Sequence, residues 1–204
     1  MPTTYPKCSP TELMGLLVLL NDHRGSEDVA LLADDLDLEI DEILPAIEFA
    51  EALQLLKVSD GRATLTDVGR KLLAGSIRER KTILRDQLKR TTLFKALVRA
   101  LESAPERRLS EEEVNRLIEF TTAPSDAFVQ NIINWGRYTE LFRWNSDEHV
   151  LLPAHARGSR GGTAPPRPPS SGEVGPAVAS ATSEGPSGES KVAEKLASLA
   201  ERLG

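Results

Sequence analysis

Leu13, Leu16, Leu17 and Leu20 stand three and four positions apart, the spacing that lines one face of an α-helix. Ser9-Pro10-Thr11-Glu12 ahead of them has the form of a capping box with proline at the first helical position, and Gly25 supplies a stop. Ser26 is placed to cap a second helix, with Val29, Leu32 and Leu36 facing inward. A third helix, from about Asp41 to Leu53, buries Ile43, Leu44, Ile47, Phe49 and Leu53. Pro45 is expected in its first turn, where a missing N–H costs little. The period then changes. Leu56, Val58, Ala63 and Leu65 flank Ser59-Asp60-Gly61-Arg62, and Asp-Gly between apolar runs predicts a hairpin. Three short helices followed by a hairpin are the helix-turn-helix plan with a wing.

The plan then recurs. Thr66 is the expected cap of a helix leaving the wing, and helical spacing continues over 77–103 with a bend near Thr91-Thr92, ending at Ser103-Ala104-Pro105. Ser110-Glu111-Glu112-Glu113 opens a helix carrying Val114, Leu117, Ile118 and Phe120. Ser125 caps the next, with Phe128, Val129, Ile132 and Ile133 inward. After Gly136 a second hairpin pairs Glu140–Trp144 with His149–Leu152, and Trp135 and Tyr138 are expected beneath this wing. The fold class that follows is mainly α with small β-hairpins: a tandem winged helix with a disordered tail behind it. The units are drawn as 1–75 and 76–154, followed by a disordered Pro/Gly/Ser-rich linker at 155–190 and a short amphipathic helix at 191–204.

Composition explains the linker. Residues 155–190 hold no aromatic residue and only Val174 and Val178 as larger aliphatics, too little apolar surface to offset ordering entropy. Pro165-Pro166-Arg167-Pro168-Pro169 reads as a semi-rigid spacer or a short polyproline II docking segment. Beyond it, Val192, Leu196, Leu199 and Leu203 line one helical face. A helix of about 15 residues is marginal alone in water, so this stripe is expected to form on a partner or on a second copy of the chain.

The net charge of −6 is unevenly spread: residues 1–75 carry 6 Lys/Arg against 14 Asp/Glu, and residues 76–155 carry 13 against 12. An acidic first unit repels phosphate. Its would-be reading helix carries Asp41, Glu42, Glu48 and Glu51 and no Lys or Arg, which disfavours nucleic acid as a partner. The basic residues concentrate between Arg78 and Arg99, where Arg78, Lys81, Arg85 and Lys89 fall within a stripe of ~80° on one helix. That stripe is the candidate partner-binding face. It reads as a solvated surface, as a face for an acidic protein, or as the contact of a transcriptional regulator that binds DNA through the basic helix 78–99.

Catalytic chemistry finds no foothold. There is no phosphate-binding Gly-x-x-x-x-Gly-Lys-Ser/Thr loop and no Gly-x-Gly-x-x-Gly. His23, His149 and His155 are scattered, the single Cys8 has no visible helper base, and the Asp34-Asp35, Asp37, Glu39, Asp41 and Glu42 cluster lacks calcium-loop spacing. No catalytic, cofactor-binding or metal residue is assigned, and a non-enzyme is expected. One cysteine cannot form an internal disulfide, the Leu13–Leu20 run is short of the roughly 20 residues a membrane span needs, and Met-Pro-Thr-Thr-Tyr-Pro is unlike a signal peptide. These point to a cytoplasmic protein without membrane insertion. A small-molecule sensor stays open, since paired winged helices can enclose a cleft.

Several stretches together resemble a known module: Leu16-Leu17-Val18-Leu19-Leu20-Asn21-Asp22, Leu31-Leu32-Ala33-Asp34-Asp35-Leu36, Ile43-Leu44-Pro45, Leu65-Thr66-Asp67-Val68-Gly69-Arg70, Glu79-Arg80-Lys81 and, most specifically, Ile133-Asn134-Trp135-Gly136-Arg137-Tyr138-Thr139-Glu140-Leu141-Phe142. They are similar to the C-terminal AAA-associated domain of ATP-binding subunits in nitrate/sulfonate/taurine-type ABC transporters, over about residues 10–152. The resemblance implies an accessory or regulatory role beside an ATPase subunit, at the inner face of the membrane through a transporter complex. The ATPase domain that precedes the module in that family is not among these 204 residues, so none of its catalytic residues carries over.

Overall fold

The computed structural model describes residues 6–119, 126–154 and 188–203. Helix α1 (Pro10–Asp22) begins at the capping box, with the Ser9 amide donating to Glu12 Oε2 at 2.5 Å and the Glu12 amide to Ser9 Oγ at 3.2 Å. Every residue from Leu13 to Leu20 is buried, so this helix is enclosed on all sides. The chain leaves it through Arg24 and Gly25, both at positive φ (61° and 85°).

Ser26 does not cap the second helix. It opens a strand, β1 (Ser26–Asp28), and its hydroxyl lies 2.8 Å from Thr64 Oγ1. The cap of α2 (Val29–Asp35) is Asp28, whose Oδ1 accepts the Ala30 amide at 2.9 Å. The reason is non-local: strand β3 (Arg62–Leu65) presents a free edge, and Ser26–Asp28 pair with it antiparallel, Ser26 opposite Thr64 and Asp28 opposite Arg62.

Helix α3 (Ile40–Ala52) takes Glu39 as N-cap, so Pro45 lies in the second turn, not the first. The hydrogen bond it deletes would have gone to the carbonyl of Asp41, an exposed residue that water reaches. Strands β2 (Leu56–Ser59) and β3 form the expected hairpin. Asp60 and Gly61 both hold positive φ (52° and 76°), the signature of a type I′ turn. The sheet order is β1-β3-β2, and helix–strand–helix–helix–hairpin is the winged-helix arrangement.

Two helices follow, α4 (Asp67–Ala74) capped by Thr66 and α5 (Ile77–Leu88) capped by Ser76. The 77–103 stretch is therefore two helices, because Thr91 starts a new one, α6 (Thr92–Ser103). From α6 the arrangement repeats: β4 (Leu109–Ser110), α7 (Glu111–Glu119), α8 (Asp126–Tyr138), β5 (Phe142–Asn145) and β6 (Val150–Pro153), in sheet order β4-β6-β5. The second hairpin is shorter than expected on its first arm: Phe142 pairs with Pro153 and Asn145 with Val150. Helix α8 runs through Gly136 to Tyr138, because Gly136 serves packing and not a turn. A Cβ there would lie 1.9 Å from Phe142 Cε2, so the absent side chain lets the buried Phe142 ring lie against the helix.

Trp135 reaches beyond its own arrangement: its ring meets Phe49 of α3 edge-on at 5.2 Å, and its Nε1 donates to the Cys8 carbonyl at 2.8 Å. One hydrophobic cluster accordingly runs from Cys8 through both arrangements to Leu196. The expectations for Phe120, for the Ser125 cap and for most of the 155–190 linker lie outside the described residues. Residues 188–190, counted in that linker, instead open helix α9 (Gly188–Ala200), which a short 3-10 turn (Glu201–Leu203) extends.

Candidate partner-binding site

Three surfaces carry the sequence-derived candidates. The first is α3. Its inner side buries Ile43, Ala46, Ile47, Phe49 and Ala50. Its outer side leaves Asp41, Glu48 and Glu51 exposed, with Glu42 half-buried and bonded at 2.8 Å to the Glu39 amide in a reciprocal cap. Glu51 Oε1 accepts the Val58 amide at 2.9 Å, tying the helix to the wing. Of the wing's basic residues, Arg62 is balanced by Glu27 at 3.6 Å. His23, which looked isolated in sequence, lies 2.7 Å from Asp35 and 3.3 Å from Glu27, joining the ends of α1 and α2. Around this acidic ground Leu31 and Ile40 stand out as exposed large apolar side chains.

The second surface is the basic stripe. Helix α5 buries Leu84, Gln87 and Leu88 and turns its opposite side outward. Arg78 in its first turn and Lys89 at its C-cap are exposed, and Lys81 and Arg85 are half-buried between them. Lys81 Nζ is paired with Glu140 Oε1 at 2.9 Å and Arg85 Nη2 reaches Thr82 Oγ1 at 3.3 Å. The fold thus brings the four residues together on one helix and engages the middle two within the chain. Arg80, off the stripe, points inward and donates to the carbonyls of Leu73 (3.3 Å) and Leu203 (2.7 Å).

The third surface, the stripe of α9, lies against α1 of its own chain. Val192 and Leu196 are buried, and Leu199 and Leu203 pack partly buried on the same cluster. Lys195, which sequence reasoning passed over, donates to the carbonyls of Leu36 and Asp37 at the C-terminal end of α2. A signal for this contact was present in the sequence: α1 is apolar on every side, and such a helix requires cover on every side.

Burial and the nearby Glu12 carboxylate push the Cys8 thiol far up, so it stays protonated at neutral pH and is unsuited to attack. No group of three or more His, Cys, Asp or Glu among the described residues is arranged to hold a metal ion, and none of the described helices is long and apolar enough to cross a membrane. A cleft of about 360 Å³ opens between α1, α4 and the final turn, lined by Asp22, Arg70, Arg202 and Leu203 among others. It does not lie between the two winged-helix arrangements, and its Arg202 is already 2.5 Å from Asp22.

Compared with known proteins, residues 30–145, more than half of the chain, match the family described as C-terminal AAA-associated domain. No curated protein and no solved structure matched the sequence.

Proposed function

Because this chain belongs to the family of C-terminal AAA-associated domains, we propose that it is a non-catalytic accessory module that binds a protein partner, the ATP-binding subunit of an ABC-type anion importer. The observation that carries this reading is the outer side of α3. The helix that would read a DNA groove in a winged helix offers Asp41, Glu48 and Glu51 and no cation. Each carboxylate brought to a phosphate adds repulsion in place of counterion release. Family membership supports association with an ATPase. The contact face we assign is Arg78, Lys81, Arg85 and Lys89 on α5, where the exposed Arg78 and Lys89 suit an acidic protein surface.

The reading is tested by affinity capture with the full chain from native lysate. A transporter ATP-binding subunit or its permease is the expected catch, reduced severalfold by the double variant Arg78→Glu/Lys89→Glu. Repeated recovery of neither overturns the proposal. Filter binding to random duplex separates the DNA reading: salt-sensitive binding below micromolar would favour a transcriptional regulator acting through the 78–99 helices.

A further inference from the structure

Helices α1 and α9 both lie outside the matched segment 30–145, and they pack on each other. The contact follows one face of α1, through Gly15, Val18 and Asp22. A Cβ on Gly15 would stand 1.8 Å from the Leu196 carbonyl oxygen, so only glycine admits the α9 backbone at that distance. Val18 and Leu203 line a shared cleft, and Asp22 pairs with Arg202 at 2.5 Å. Numbers rise together along both helices, so they run in the same direction. Polar contacts close the edges: Lys195 on the carbonyls that end α2 and on the Asp37 carboxylate at 3.2 Å, and Arg80 on the Leu203 carbonyl at 2.7 Å. Cations at a helix C-terminus complement its dipole. The far side of α9 carries Lys191, Glu194, Ser198 and Glu201, all exposed. This helix is apolar toward α1 and polar away from it, as a ligand in a groove is.

We propose that the Gly15–Val18–Asp22 face of α1 is a helix-binding groove and that α9 is its tethered, exchangeable occupant, held in cis. The helix is short, and forming it costs free energy that docking must repay. Among its described side chains, Val192 and Leu196 are the buried ones. As a free peptide it therefore binds weakly, in the micromolar to millimolar range. Residues 155–187 join it to β6, and a tether of that length and Gly/Pro/Ser-rich composition holds it at an effective concentration on the order of millimolar. The groove is covered in the resting chain, yet another helix with the same leucine stripe and a lysine one residue before its central leucine can take it. This inference stands apart from the proposed partner, since it concerns α1 and not α5.

The test uses the full chain with a specific protease recognition sequence inserted between Ser170 and Ser171. After cleavage of the folded protein and dialysis of the released fragment, a fluorescein-labelled peptide of residues 188–204 is titrated by anisotropy. The cleaved protein is expected to bind it, the intact chain to bind it at least tenfold more weakly, and a peptide carrying Leu196→Asp to bind neither. Lys195→Glu in the intact chain is expected to raise peptide uptake severalfold without any cleavage. Equal binding by cut and intact protein overturns the proposal. So does a fragment that never leaves, loss of cooperative unfolding once it has left, or an intact chain that sediments as a dimer and becomes a monomer on cleavage, which would mean that a second copy supplies α9.

Discussion

Replacing Trp135 by phenylalanine removes one hydrogen bond and part of one ring at the junction of the two winged-helix arrangements. The indole Nε1 donates to the Cys8 carbonyl at 2.8 Å in a buried setting, so the carbonyl of the variant is left without that donor, at about 1–3 kcal/mol. Losing roughly 40 Å² of buried apolar ring adds about 1 kcal/mol. The sum, about 2–4 kcal/mol, corresponds to a drop in Tm of about 5–15 °C for a chain of this size. Urea unfolding followed by far-UV circular dichroism reads the loss directly, and the chain is expected to keep a single transition because one cluster spans both arrangements. Phe49→Leu completes a double-mutant cycle with Trp135→Leu, which removes the ring contact that phenylalanine would keep. The edge-on contact at 5.2 Å predicts a coupling of about 0.5–1.5 kcal/mol between the two positions. A change below about 0.5 kcal/mol together with zero coupling would refute the account of Trp135 as the tie between the arrangements.

Three further outcomes follow from local geometry. Gly136→Ala should destabilise by about 1–3 kcal/mol despite alanine's better helix propensity, because its Cβ meets the buried Phe142 ring; Phe142→Leu should recover part of the loss in the double variant, measured by urea midpoint. The Glu79 and Glu113 carboxylates are held below the ordinary range by the amides and then the hydroxyls of Ser76 and Ser110. Their contribution is therefore fully present above the unfolded value of roughly 4.3 and lost as pH falls through the lower folded value; NMR titration of Ser110→Ala should show Glu113 moving up toward the ordinary value, and an unchanged titration would contradict the cap. Cys8, with its thiol pushed up by burial and then by Glu12, should resist a thiol reagent at pH 8 in buffer and react in urea at the rate of global unfolding, and fast labelling of the folded chain would show that it is not enclosed.

Short-range chemistry in the sequence was enough for most helices and both hairpins. Capping boxes at Ser9 and Ser110 and the Thr66 cap act within three or four residues, and Asp60-Gly61 encodes its own turn, so each is legible without knowing what packs nearby. The acidity of α3 and the basicity of α5 were likewise plain, because charge needs no partner to be counted. What the chain alone did not reveal were contacts between residues far apart. Ser-Glu-Asp at 26–28 has no strand pattern and becomes β1 only because β3 offers an edge. Leu109–Ser110 becomes β4 by pairing with Val150 and Leu151. Trp135 was visible as a large buried ring, but its seat on Phe49 and Cys8 depends on the docking of one arrangement on the other. Gly15 shows the division most simply: local propensity counts it as a weak point in a leucine helix, and only the passage of Leu196 across it explains why no side chain stands there. Backbone conformation responds to neighbours in sequence, whereas burial on all sides is decided by whatever the folded chain brings alongside.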